Sequence, residues 1–243
     1  RFISAAFNQV MQEAARIRYR SNGDWNVPMV IRAPYGGGIH GALYHSQSIE
    51  AIFCHVPGLK VVAPATPYDA KGLLKTSIED PDPVLFLEHK KCYRLIKGEV
   101  PFEDYRIPIG KAEVKRPGRD LTVITYGLML HYSLEAAEEL ASEDIDVEVL
   151  DLRTLRPLDT DAIIASVRHT SKVLIVHEDN LTGGLGGEVA ALISQYAFEY
   201  LDAPIMRLCG PEAPAMPYSK PLEEAFMPSP ARIADAMRKL AAY

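Results

Sequence analysis

Apolar positions along this chain follow two rhythms. PMVIRAP (28–34), LKVVAP (59–64) and PVLFLE (83–88) are short, nearly continuous apolar runs bounded by proline, which read as buried strands. Between and before them the spacing is helical. Residues 5–19 place Ala6, Val10, Ala14 and Ile17 on one face and stop at Ser21-Asn22-Gly23. Residues 48–55 predict a short helix. Residues 66–80 predict a longer one, with Thr66 as N-cap and Pro67 in the first turn. After residues 96–110, which carry two prolines and no period, the alternation resumes. Strands are predicted at 120–127, 146–153, 171–178 and 203–210, and helices at 128–143, 160–170, 186–201 and 230–242. Strand–helix alternation with continuous apolar strands predicts an α/β fold with mostly parallel sheets, the later part a small doubly wound unit. The pattern divides the chain into a domain over 1–95, a linker over 96–110 and a domain over 111–243.

Composition narrows the picture. The 243 residues are 48% hydrophobic and 24% charged, the balance of a globular chain rather than a disordered or fibrous one. No apolar run has the length of a membrane span. The formal net charge of −6 argues against a nucleic-acid binder. That charge is uneven: residues 1–95 carry 11 basic and 8 acidic side chains, residues 96–243 carry 15 and 24. Cys54, Cys92 and Cys209 are too scattered for a disulfide framework and read as buried thiols in a reducing compartment. The sequence opens Arg-Phe-Ile, without a targeting segment.

Chemistry concentrates in the loop PYGGGIHGALYHSQS (34–48), where four glycines and two histidines join a strand to a helix. Glycines permit close approach of backbone to a ligand, and a histidine at the C-terminal end of a parallel strand can act as acid or base. The same loop also reads as a plain connection with its histidines hydrogen-bonded in place. TGGLGGE (182–188) has the look of a phosphate cradle but lacks the GxGxxG order and the P-loop lysine, so close helix packing is the better reading. Ser77, Asp80 and Asp82 form an oxygen-rich helix end, suited to a hard cation or simply to solvent. His177-Glu178 ends a strand beside the glycine loop and reads as structural hydrogen bonding rather than catalysis. HExxH and G-x-S-x-G motifs are absent from the sequence.

GALYHSQS (41–48), HVPGLKVVAPATPYDAKGLL (55–74), DPVLFLEHKKCYR (82–94), IPIGKAEV (107–114) and EVLDLRTLRPLD (148–159) together resemble one family. It is the beta subunit of the thiamine-diphosphate-dependent decarboxylating component of 2-oxo acid dehydrogenase complexes, with the branched-chain (2-oxoisovalerate) members most similar. The resemblance implies a pyrimidine-binding domain followed by a transketolase C-terminal-like domain. It implies an alpha subunit as partner in an α2β2 heterotetramer, with thiamine diphosphate and Mg²⁺ shared with or held by that subunit. It also implies a lipoyl acyltransferase core that receives the acyl group of the 2-oxo acid. By position, His45 matches the family's active-site histidine, Tyr44 and Gln47 support its loop, and Phe2 matches the aromatic that stacks on the aminopyrimidine. A structural K⁺ site maps onto Val27, Met29, Val30, Ser77, Asp80 and Asp82, with Val30 standing for a threonine and Ser77 for a cysteine. Family members begin upstream of Arg1, and the glutamate that bonds the pyrimidine N1′ lies there, so no residue of this sequence takes that role. The pyruvate and acetoin dehydrogenase beta subunits are the neighbouring alternatives. A non-catalytic fragment that docks the acyltransferase core is an alternative of another class. The resemblance implies the cytoplasm for a bacterial chain and the mitochondrial matrix for a eukaryotic one.

Overall fold

A computed structural model describes residues 2–243, and every side chain among them except that of Phe2. The chain enters through short turns: a 3-10 turn over Phe2–Ala6, α1 (Phe7–Gln9), a π-helical turn over Val10–Ala14 and α2 (Ile17–Arg20). The single helix expected over 5–19 is therefore broken. The break falls at Ala15, whose carbonyl is packed so closely by Gly58 that a Cβ there would stand 2.0 Å from the oxygen. Helical continuity gives way to burial of Val10 and Ala15 against the core.

The first sheet follows. Its parts are β1 (Val30–Tyr35), α3 (Ala42–His45), α4 (Glu50–Cys54), β2 (Lys60–Val62), α5 (Pro67–Glu79), β3 (Val84–His89) and α6 (Cys92–Leu95). Thr66 caps α5, its hydroxyl accepting from Asp69 N at 3.1 Å, as the Thr-Pro entry predicts. The second sheet is built from β4 (Glu113–Arg116), β5 (Leu121–Thr125), α7 (Leu128–Ala141), β6 (Val147–Asp151), α8 (Thr160–Thr170), β8 (Val173–Asn180), α9 (Leu185–Tyr196), a 3-10 turn over Phe198–Tyr200, and β9 (Met206–Gly210). A short strand β7 (Thr154–Arg156) follows β6, and α10 (Lys220–Phe226) and α11 (Pro230–Ala241) close the chain.

The strand orders are β1-β3-β2-β7 and β4-β6-β5-β8-β9. All neighbours are parallel except the edges β7 and β4, which pair antiparallel with β2 and β6. Thus residues 154–156, far along the chain, complete the sheet begun by residues 30–35. One core cluster is shared between the sheets. It joins Phe53, Leu85 and Leu87 to Ile124, Leu150, Ile175 and Val189. The other face of the second sheet is closed by Leu130, Ala137 and Leu140 of α7 and by Ile233 and Met237 of α11. Burial on both faces is why these strands read as continuous apolar runs. The three cysteines are unpaired, with Cys54 and Cys209 buried. Among the described residues no helix is long and apolar enough to cross a membrane.

Candidate functional site

The glycine loop leaves the C-terminal end of β1 and lies beside the end of β8, so the C-terminal edges of both sheets converge on it. Gly36 accepts no side chain: its φ is +89°, and a Cβ would stand 2.1 Å from His89 Nε2. The loop is closed at its neck by Gly36 N donating to Gln47 O at 3.0 Å. Inside it, His45 N donates to Gly41 O and Ser46 N to Ala42 O, forming the single turn of α3. His45 ends that turn with its side chain exposed, and Lys90 Nζ donates to its carbonyl oxygen. Among the described residues the exposed His45 ring forms no hydrogen bond. Ser46 is buried beside it and its hydroxyl has no protein partner, an unusual state for a buried polar group. Leu43 and Tyr44 are also exposed.

Against the loop lie two buried carboxylates, Glu178, which the sequence placed at a strand end, and Glu223, for which it gave no signal. Glu178 Oε1 accepts from Gly37 N at 2.5 Å and from Ser48 Oγ at 3.2 Å. Its Oε2 lies 2.8 Å from His89 Nε2. Lys91 N donates to His89 Nδ1 at 3.3 Å, which leaves the ring proton on Nε2, directed at the carboxylate. Burial pushes the Glu178 carboxyl up, but the His89 pairing and the Gly37 and Ser48 donors outweigh it and hold it below its ordinary value. Glu223, from α10, is 2% exposed and accepts from Gly38 N at 3.0 Å and His40 N at 3.1 Å, with His40 Nδ1 at 2.8 Å. Glu50, which opens α4 just after the loop, accepts from the Tyr126 hydroxyl at 2.8 Å. Burial, and then the nearby Asp179, push its carboxyl well above the ordinary range.

The other sequence candidates divide. Gly184 and Gly186 of TGGLGGE pack on His177, where Cβ atoms would stand 2.7 and 2.6 Å from ring atoms, so this glycine run serves close packing of α9 on β8. Residues 27–30 do come beside 81–84, with Val27 N donating to Pro81 O at 3.2 Å and Val84 N to Met29 O at 2.9 Å. Yet the side-chain oxygens expected of a cation site are already taken. Lys60 Nζ donates to both Asp80 oxygens at 2.6 and 2.7 Å, Arg18 pairs with Asp82, and Ser77 Oγ donates to Leu73 O at 2.7 Å. Any cation there is left with main-chain carbonyls. Among the described residues no group of three or more His, Cys, Asp or Glu could hold a metal ion. The side chain of Phe2 lies outside the described residues.

Comparison with known proteins adds to this geometry. Residues 1–96 match the transketolase pyrimidine binding domain and residues 110–233 the transketolase C-terminal domain. The chain is 60% identical, over its whole length and 74% of the relative's, to the 2-oxoisovalerate dehydrogenase subunit beta of Bacillus subtilis. It is 46% identical to the pyruvate dehydrogenase E1 component subunit beta of the same organism, over 98% of this chain and 73% of the relative. It is equally similar, at 46%, to the beta subunit of the acetoin:2,6-dichlorophenolindophenol oxidoreductase of Cupriavidus necator, over 98% of this chain and 70% of the relative. Among solved structures, a split-gene transketolase in an inactive beta4 tetramer is similar at a TM-score of 0.71 and 26% identity, over 98% of this chain and 74% of that one.

Proposed function

This chain belongs to the beta subunits of the thiamine-diphosphate-dependent 2-oxo acid dehydrogenases, and on that premise we propose that it serves the oxidative decarboxylation of a branched-chain 2-oxo acid together with an alpha subunit. The 60% identity to a 2-oxoisovalerate dehydrogenase subunit, against 46% to the pyruvate and acetoin enzymes, supports the branched-chain assignment. The single observation that carries the site is the His45 ring, exposed and, among the described residues, without a hydrogen bond in a loop that Gln47, Glu178 and Glu223 hold in place.

The loop suits the cofactor. Among the described residues the exposed His45 imidazole has no hydrogen-bonding partner, and neither has the hydroxyl of Ser46, buried over Gly41. Thiamine diphosphate supplies, when bound, the electron sink for cleaving the bond between the carboxylate and the carbonyl carbon. The chain's own part is narrower. His45 donates and accepts a proton at the substrate oxygen, the task for which an imidazole is suited near neutral pH. Tyr44 and Leu43 present an exposed surface beside it to the partner subunit and to an apolar substrate chain. Glu178, buried and charged, sits under the loop and contributes a fixed negative potential rather than a proton.

In our reading the alpha subunit completes an α2β2 heterotetramer and holds the diphosphate and its Mg²⁺, Phe2 stacks on the aminopyrimidine, and the acyl group passes to a lipoyl acyltransferase core. The acidic excess of residues 96–243 supports a docking role for that half toward a basic partner, by complementary charge. A structural K⁺ would rest on carbonyls of residues 27–30 and serve stability alone.

The test is His45→Ala in the full-length chain assembled with its alpha subunit. Turnover of the 2-oxo acid should fall by about 10²–10⁴, the usual share of an acid–base group, with the melting point unchanged. Near-normal turnover contradicts the assignment.

A further inference from the structure

The bonds that hold the glycine loop come from a distant part of the chain. The neck is pinned by one oxygen, Glu178 Oε1, which receives both Gly37 N on the way in and Ser48 Oγ on the way out. The shoulder is held by Glu223, which receives Gly38 N, His40 N and His40 Nδ1. Neither carboxylate is open to a substrate: Glu178 is 6% and Glu223 2% exposed. Burying two carboxylates is costly unless each is matched by donors, and apart from His89 the matching donors here are amides and side chains of this loop. The loop needs holding. His40 (φ +56°) and Ala42 (φ +52°) both sit in the left-handed region without being glycine, a conformation that costs energy and persists only when surroundings impose it. Ala42 begins the turn that ends in His45.

We propose that Glu178 and Glu223 are positioning residues, two buried carboxylates of the second half of the chain that fix the glycine loop and thereby set where the His45 imidazole stands. The inference rests on the reading of His45 given above. In this arrangement the second half of the chain shapes the active site of the first.

The experiment uses the full-length chain assembled with its alpha subunit, carrying Glu178→Gln or Glu223→Gln. In Glu178→Gln the side chain keeps one acceptor oxygen for two sides, so its N–H₂ faces either His89 Nε2 or Gly37 N and one hydrogen bond is lost. In Glu223→Gln the charge assistance to two backbone amides is lost. Amide hydrogen exchange is read over residues 36–48 and over the remainder of the chain, alongside kcat and KM for the 2-oxo acid. Exchange in the loop should rise, and kcat should fall, each by about tenfold, the effect of weakening a charge-assisted hydrogen bond. KM and exchange elsewhere should hold within twofold of the unmodified protein, roughly the scatter of a surface change. Glu224→Gln, at an exposed neighbour that pairs with Lys220 at 3.7 Å, should change nothing.

Unchanged loop exchange in both variants overturns the proposal. So does raised loop exchange with an unchanged kcat, or a kcat loss that comes only with raised exchange throughout the chain. If one variant does not fold, the other decides. Normal turnover of His45→Ala would instead reject the reading of His45, and the two failures are distinct because loop exchange is measured without turnover.

Discussion

Gly36 shows what a single residue decides in this site. Its φ of +89° and the 2.1 Å that would separate a Cβ from His89 Nε2 leave no room for any side chain. Gly36→Ala must push His89 away from Glu178, exposing a buried charge to the loss of its best partner. We expect a loss of stability of about 3 kcal/mol or more, since backbone strain and a broken buried pair act together. Chemical denaturation checks this, and a change under about 0.5 kcal/mol, the size of a neutral surface substitution, contradicts it. At this scale the sequence was only half legible. His45 stands in a motif, HGALYHSQS, whose glycines and histidines announce themselves. Glu178 was visible as the end of a strand, but nothing in spacing brings residue 178 to residue 37. Glu223 carried no signal at all, because it lies in a short helix whose place against the loop is set by tertiary packing.

At the scale of elements, the junction between the sheets is an ion network. Asp69 of α5 is fully buried and meets Arg153 Nη1 at 3.2 Å and Lys115 Nζ at 2.9 Å. Burial pushes the Asp69 carboxyl up, but the Thr66 and Lys115 hydrogen bonds and the two cations outweigh it and hold it low. Asp69→Ala leaves those cations without their buried partner and should cost about 3–5 kcal/mol in thermal or urea unfolding. Asp151, at the end of β6, behaves in the opposite sense. Burial, then the neighbouring Asp69, raise its carboxyl from 3.8 to about 7. Among the described residues its Oδ2 has no hydrogen-bonding partner, so no donor there stabilises the charged form. The folded chain therefore holds a proton between pH 3.8 and about 7 that the unfolded chain has released. That contribution to stability is complete at acid pH and is lost as pH rises through this window. Asp151→Asn cannot titrate, so its stability relative to the unmodified chain should increase from pH 4 toward pH 7. Unfolding curves across that range check it, and a flat difference contradicts it. Helix α5 was legible because Thr66 and Pro67 mark its start. Strands β4 and β7 and helix α10 were not, being short and polar, and β7 exists only because the first sheet has an open edge beside β2.

At the scale of the molecule, the two sheets share one core, so the halves of this chain fold as partners rather than as beads. Charge parts where the core does not: the acidic excess lies wholly in residues 96–243. If that half docks the acyltransferase core, binding should weaken steeply between about 50 and 500 mM salt, as the Debye length shrinks. Salt-independent binding argues for an apolar dock instead. The site itself is open on the side of His45, Tyr44 and Leu43, and in our reading the alpha subunit closes it. The chain spans about three quarters of the relatives it resembles, so the measurement that tests the central claim uses the full-length protein. It is the rate of substrate consumption, with thiamine diphosphate and Mg²⁺, for the beta subunit alone, the alpha subunit alone and the two assembled, read as decarboxylation of branched-chain 2-oxo acids and pyruvate and as carbon–carbon cleavage of acetoin. The account predicts turnover only in the assembly, greatest with branched-chain 2-oxo acids. Turnover by the beta subunit alone, or an assembly that prefers pyruvate or acetoin, would contradict it.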